Sequence, residues 1–364
     1  MDRRGFLKST GVAAALVAAP AAATSASAGS SPAGPAVLTG PRRFGMSSNW
    51  VDSVSGPADM AHRLALRIHE ASGGQLQLTL KHTSPTNTSA SFAESEMEFY
   101  HGCEHDRSPL HPAFAYFTGL PSNSGLAAAD LETWISYSGG QELWDDLAAS
   151  YGYKPLLAGH LGTAPMLWTN HPLSDRNTFR DLRIAGIGPT ADLARALGAN
   201  PVAIPAQQLP LALETADVDA VEFGALLNAM GAGIAQRARF GYAPGLAPSG
   251  TAVALNIRLD VWEGLSSADR TIITACASEA YRTSLSEARL SNSVLLDTLK
   301  RKHPLKLAAL PEDVAAALPH LSEAVIANLA GYDAISKHIN ASYMGFRRRL
   351  LDEHLSGSEA PPTA

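Results

Sequence analysis

The chain is poor in cysteine, poor in charge and without a recognisable catalytic signature. Two cysteines in 364 residues, Cys103 and Cys276, allow one bridge at most. Two separate thiols fit better. Cys276 falls in an apolar helical pattern, Thr271 to Ala280, as a small buried hydrophobe would, and Cys103 falls in a polar loop. Charged residues make up only 17% of the chain and the net charge is −6, which argues against a nucleic-acid partner, whose binding depends on neutralising phosphates. No HExxH or CxxC is present, and no GxSxG, GxxxxGK or GxGxxG follows a strand pattern. Carboxylate groups such as Glu94/Glu96/Glu98 and Asp145/Asp146 read as solvated faces and not as acid–base dyads.

What is present begins at the first residues. Asp2-Arg3-Arg4-Gly5-Phe6-Leu7-Lys8 is a twin-arginine pattern, followed by an uncharged stretch that ends in Ala26-Ser27-Ala28, a small-x-small cleavage form. The apolar part, Val12 to Ala23, is interrupted by Pro20 and is too short for a membrane span, which needs about 20 residues. Residues 1–28 are therefore expected to be an export signal, with the remainder released in the periplasm. An apolar content of 46% then describes a globular protein with a substantial core.

Residues 29–42 form a flexible, Gly/Ser/Pro/Ala-rich lead-in. Beyond it, the periodicities predict strand 43–49, helix 57–72 stopped by Gly73-Gly74, and strand 75–80, the opening of a βαβ unit. Residues 126–150 read as helix and 154–168 as a strand-rich crossing. Strands follow at 182–184, 201–204 and 219–223, helices at 189–197 and 209–215, and a second crossing strand at 251–257. The rest is mainly helical, over 267–302, 312–330 and 331–355. The class is α/β, with a second domain inserted between two crossing segments. Ligands in such architectures sit at strand carboxyl ends or between the lobes, which points to the ends of 43–49, 156–164, 182–185 and 219–223. Trp134 and Trp144 read as core, whereas Trp50 and Trp168 end strands near that cleft, where they could stack on a ligand.

Five blocks in order carry a family resemblance: Ser47-Ser-Asn-Trp50, Tyr137-Ser-Gly-Gly-Gln-Glu-Leu-Trp144, Leu182-Arg-Ile184, Asn200-Pro-Val-Ala-Ile-Pro205 and Asp219-Ala-Val-Glu-Phe223. Together they resemble the solute-binding proteins of tripartite ATP-independent periplasmic (TRAP) transporters, of the branch that includes 2-oxo-acid receptors. The resemblance runs from about residue 43 to about 350. It implies a two-lobed, type II periplasmic-binding-protein fold, with lobe I from 43–158 plus about 256–306, lobe II from 159–255 and C-terminal helices over 307–355. It also implies a non-catalytic receptor that closes on a small carboxylate (a 2-oxo acid or a hydroxy or sugar acid) and presents it to TRAP permease subunits. The hinge would lie near 158–162 and 250–256.

By the same resemblance Arg183 grips the ligand carboxylate, a task that suits the planar guanidinium. Glu222 and Phe223 stand at the family's acid–aromatic pair, where the acid helps to hold a metal ion, Na⁺ or Ca²⁺, that bridges to the ligand. The remaining wall positions are Asn49, Trp50, Ala164 and Trp168. Two further oxygen ligands for the ion are replaced, at Ala164-Pro165 and at or near Pro248, which leaves Glu222 with little coordination. The segment Lys81 to Pro112 departs most from the family, so the ligand is expected to differ from pyruvate. His101, Cys103 and His105 alternate, but the spacing fits no zinc pattern and reads as loop histidines on a polar surface. The terminal helix can swap between subunits to form a homodimer, or lie across its own chain. An exported enzyme or a sensor-type receptor on the same scaffold is the alternative reading.

Overall fold

The computed structural model describes residues 40–48, 50, 57–82, 97–163, 166–246, 250–302 and 305–358. The export signal and most of the lead-in lie outside them, as do the expected wall residues Asn49 and Ala164 and the position at Pro248.

The chain runs β1 (Arg42–Ser48), α1 (Pro57–Ala71), β2 (Leu76–His82) and β3 (Phe99–Gly102), then 3-10 turns at Glu104–Arg107 and Pro112–Phe117. It continues α2 (Ala128–Tyr137), α3 (Gly140–Ala149), β4 (Tyr153–Thr163), β5 (Leu167–Thr169), β6 (Arg183–Ala185), α4 (Gly188–Ala196), β7 (Asn200–Val202) and α5 (Leu209–Glu214). The last part is β8 (Ala220–Glu222), α6 (Leu226–Gly231), β9 (Phe240–Tyr242), β10 (Gly250–Arg258), α7 (Leu259–Gly264), α8 (Ser267–Lys302), β11 (Lys306–Ala308), α9 (Glu312–Ala330) and α10 (Ala334–Ser358).

Local chemistry explains the leading unit. Along α1 the residues Ala58, Ala61, Leu64, Ala65 and Ile68 recur every three or four positions and are all buried. Asp59 stands in the first turn and His69 in the last, each matching the helix dipole. The helix stops because Gly73 and Gly74 take positive φ angles of 58° and 81° and turn their amides back to the carbonyls of Glu70 and His69.

Among the described residues eleven strands divide into two sheets, which make the two lobes. The first has the order β2-β1-β3-β10-β4, the second β11-β9-β5-β8-β6-β7. In the first, β1, β2 and β3 are parallel and β10 runs against β3 and β4. In the second, β6, β7 and β8 are parallel and β5 runs against β8 and β9. The chain leaves the first sheet after β4, returns between β9 and β10, and crosses again between α8 and β11.

The β4–β10 pair is interrupted twice, between Gly250 and Ala252 and between Val253 and Ala254, and such irregularities let a strand bend. Gly162, at φ 87°, lies against α6 and α8: a side chain there would meet the Cβ atoms of Ala225 and Ala288 at 2.8 and 2.7 Å. Asn228 donates to the Leu161 carbonyl at 2.5 Å and Asn292 to that of Thr163 at 3.2 Å, fastening the crossing to both helices. At 36 residues α8 is about 54 Å long.

The C-terminal helix packs on its own chain. Tyr343 and Phe346 join the core of Trp134, Trp144 and Phe117, and the Tyr343 hydroxyl accepts from the Leu126 amide at 2.6 Å. In that core the Phe117 ring stacks on both tryptophans, at centroid distances of 5.4 and 5.0 Å. Both cysteines are free and buried, Cys276 as expected of a small hydrophobe and Cys103 against the expectation of a polar loop.

Candidate functional site

A cavity of about 400 Å³ lies between the two sheets. Its walls come from the carboxyl ends of the parallel strands, where an α/β sheet offers loops and helix starts to a ligand. Trp50 follows β1, and Cys103, His105 and Asp106 follow β3. From the second sheet come Ala185 to Ile187 after β6, Ala203 and Ile204 after β7, and Glu222 to Gly224 at the end of β8. The crossing strands add Leu161 and Thr251. The lobes approach each other at Gly188, whose absent side chain would stand 3.0 Å from Ser108 Oγ and 3.7 Å from the His105 ring.

The turn after β3 is held from beneath by a buried carboxylate. Glu104 is fully buried and accepts from Asn256 Nδ2 at 2.7 Å, the Tyr153 hydroxyl at 3.1 Å and Trp144 Nε1 at 3.4 Å. Burial raises its pKa, and the Arg107 charge and these three donors oppose the rise. Arg107 is itself buried, its guanidinium 4.8 Å from the Tyr100 ring centre and 5.0 Å from that of Tyr153. This network fixes the turn whose upper residues, His105 and Asp106, reach the cavity.

The histidines of this segment are not surface loop residues. His101, His105 and His111 are all buried. His101 Nε2 lies 3.4 Å from the Ala158 carbonyl, and His105 Nε2 donates to that of Gly119 at 3.1 Å. Burial lowers the pKa of both to about 4, so both are neutral at pH 7. The expected alternation fails because β3 ends at Gly102 and the chain then enters a 3-10 turn. The two rings go to carbonyls of different elements. Among the described residues no group of three or more His, Cys, Asp or Glu side chains converges as a metal site.

Five of the expected site residues are among the described residues; three line the cavity and two do not. Glu222, Phe223 and Trp50 line the cavity. Trp168 does not: it is fully buried in the core beneath, on the short strand β5. Arg183 does not either. It stands at the amino end of β6 with its side chain 45% exposed, and its Nε and Nη2 fork onto Asp219 at 3.0 and 2.8 Å. The cavity lies at the other end of that three-residue strand, where the residue is Ala185. Glu222 is packed by Gly245, whose absent Cβ would fall 2.1 Å from Glu222 Oε1.

The family model for bacterial extracellular solute-binding protein, family 7 (DctP) matches residues 57–331. The chain belongs to this family. A monocarboxylate 2-oxoacid-binding periplasmic protein of Nostoc sp. (strain PCC 7120) is 24% identical over 315 residues, covering 85% of each chain. A TRAP transporter solute-binding protein of Bordetella bronchiseptica RB50, solved as a mixed-occupancy dimer with co-purified calcium and picolinate at one site, superposes with a TM-score of 0.80. It is 21% identical, covering 87% of this chain and 97% of that one. A TRAP periplasmic solute-binding protein of Pseudoalteromonas atlantica T6c, with bound sodium and pyruvate, also gives a TM-score of 0.80, at 19% identity over 88% of this chain and 100% of that one. The α/β, two-lobed architecture is thus that of the TRAP binding proteins.

Proposed function

We propose that this protein is a periplasmic receptor that captures a small organic carboxylate and delivers it to TRAP permease subunits in the membrane, acting by binding and not by catalysis. The observation that carries the reading is the cavity of about 400 Å³ enclosed between the strand ends of two lobes, in a chain of solute-binding family 7. That volume suits a small solute. The β4–β10 crossing, with its two register breaks, supplies the place for the lobes to hinge.

An ion of the sodium or calcium type accompanies the ligand in the two solved relatives. Here the described side chains that could serve it in the cavity wall are the carboxylates of Glu222 and Asp106. A calcium shell takes six to eight oxygens, and no third side-chain ligand converges with them among the described residues. The residues therefore fit such an ion poorly, and the binding scheme does not rely on one.

The test is to purify the protein natively, release its bound solute by denaturation and identify it by mass spectrometry, then return it to the emptied protein in a calorimeter. A carboxylate bound one to one, with a decrease in radius of gyration by X-ray scattering, is expected. An emptied protein that neither binds nor contracts with any low-mass extract would refute the receptor role.

A further inference from the structure

One continuous apolar surface lines the cavity on both lobes. Trp50 from the first lobe, Leu161 from the crossing, and Leu209 and Phe223 from the second all line it, and all four belong to a single buried hydrophobic cluster. Ile204 packs against that cluster and lines the cavity too. Its origin in the sequence is a short segment. After β7 the chain reads Ala203-Ile-Pro-Ala206, with no polar side chain, and all four residues line the cavity. Much of this surface stays open: Ile204 and Pro205 are half-buried, and Ile187, just before α4, is 41% exposed.

Apolar walls reward a ligand for the apolar area it covers, by about fourfold in affinity for each methylene group that reaches them. Size points the same way. A volume of about 400 Å³ is room for about thirteen water molecules at about 30 Å³ each. A three-carbon acid such as pyruvate would leave about half of that space or more to water, against walls that offer water few partners. A heavily hydroxylated acid would set its hydroxyls on the same walls without hydrogen bonds. Resting on the receptor reading above, we infer that the solute is a carboxylate with an apolar body, a hydrocarbon chain or ring of about four carbons or more. That body lies on Ile187, Ile204 and Phe223 of the second lobe and is covered by Trp50 of the first as the lobes close. Closure then removes apolar surface on both lobes and on the solute from water, which favours the closed form.

The experiment is calorimetry of two homologous series on the purified, emptied protein. One series is pyruvate, 2-oxobutanoate, 2-oxopentanoate, 2-oxohexanoate and 2-oxooctanoate. The other is acetate, butanoate, hexanoate and phenylacetate. In at least one series affinity is expected to rise about threefold or more per added carbon until the cavity is filled, with an increasingly negative heat-capacity change. Ile204→Asn should cut the gain from the shortest to the longest tight binder by about fivefold or more. Ile187→Asn gives a second reading, at an already exposed position, if Ile204→Asn is poorly folded. Affinity that does not rise with chain length in either series overturns the apolar body. So does silence from both series, or an unchanged slope in both variants. A native solute that mass spectrometry shows to be shorter or heavily hydroxylated also overturns it, and leaves the receptor reading standing. The receptor reading fails separately, only if the emptied protein binds nothing from the low-mass fraction of a cell extract.

Discussion

Two carboxylates on opposite sides of the cleft show how one residue type can be enclosed by the fold in one place and line a cavity in another. Glu104, on the first lobe, lies under the cavity wall and is enclosed by Asn256, Tyr153 and Trp144. Glu222, on the second, ends a strand and reaches the cavity itself. The first has its hydrogen-bonding capacity taken up by the protein and so can only hold the fold together. The second lines the cavity in which we propose the solute binds. What surrounds each carboxylate separates the two, Glu104 being fully buried and Glu222 only partly.

The sharpest way to break that contrast is to remove the carboxylates one at a time. Glu104→Leu would leave three buried donors without an acceptor and take away a charge that balances Arg107, a loss of about 3–5 kcal/mol by urea unfolding. Glu222→Gln should cost the fold less than about 1 kcal/mol and show its effect in solute affinity instead. Equal losses of stability in the two variants would erase the distinction between the two walls.

The same contrast has a pH signature. The rings of His101, His105 and His160 are buried, and burial lowers each pKa to about 4. The unfolded chain takes up these protons near pH 6.5, before the folded one does, so stability is full above that value and falls as the pH drops from 6.5 towards 4. Each ring should contribute about 2 kcal/mol to the loss between pH 7 and pH 5. Denaturant unfolding at the two pH values measures this, and His105→Gln should flatten the slope by one ring's share. A flat profile in the parent protein would mean that the rings are solvated.

Gly245→Ala acts at the second carboxylate through its packing. The new methyl would stand 2.1 Å from Glu222 Oε1 and 2.9 Å from the Leu167 amide, so the carboxylate must shift. A stability loss of about 1–2 kcal/mol is expected, with a proportionally larger fall in solute affinity. Unchanged affinity would show that the position of Glu222 is not critical to binding.

Much of the scaffold was legible from periodicity, and the reason is visible in particular elements. In α1 an amphipathic face ends at two glycines, and the long helices α8 and α9 match the expected 267–302 and 312–330. The single helix expected over 126–150 is in fact two, broken where Gly139 takes a φ of 84°. The β3 strand was hidden because all four of its residues are buried, which removes the alternation that betrays a strand, and because it bears a histidine. That omission also hid Cys103, His105 and Asp106 as wall residues. The rule that ligands meet strand carboxyl ends pointed to Trp50 and Trp168, and the family resemblance to Glu222 and Phe223; Trp50, Glu222 and Phe223 line the cavity, and Trp168 is buried in the core. At β6 the carboxyl end is Ala185, which lines the cavity, whereas the family resemblance points to Arg183, two residues earlier at the amino end.

That arginine gives the smallest expected effect and the cleanest check on the assignment of the walls. Arg183 and Ala185 share a strand face, yet one is at the outer end with Asp219 and the other at the cavity. An exposed ion pair gains little over its hydration in water and is screened further by salt. The pair lowers the Asp219 pKa chiefly through the hydrogen bond from Arg183, so its modest contribution is present above the usual carboxylate range and fades as acid protonates Asp219. Arg183→Ala should accordingly leave the melting temperature nearly unmoved and solute affinity within about twofold of the parent. A collapse of binding in this variant alone would put the guanidinium back into the recognition of the solute, and it would require β6 to present its amino end to the cleft, contrary to the register that pairs Arg183 with Asn200 and Ala185 with Val202.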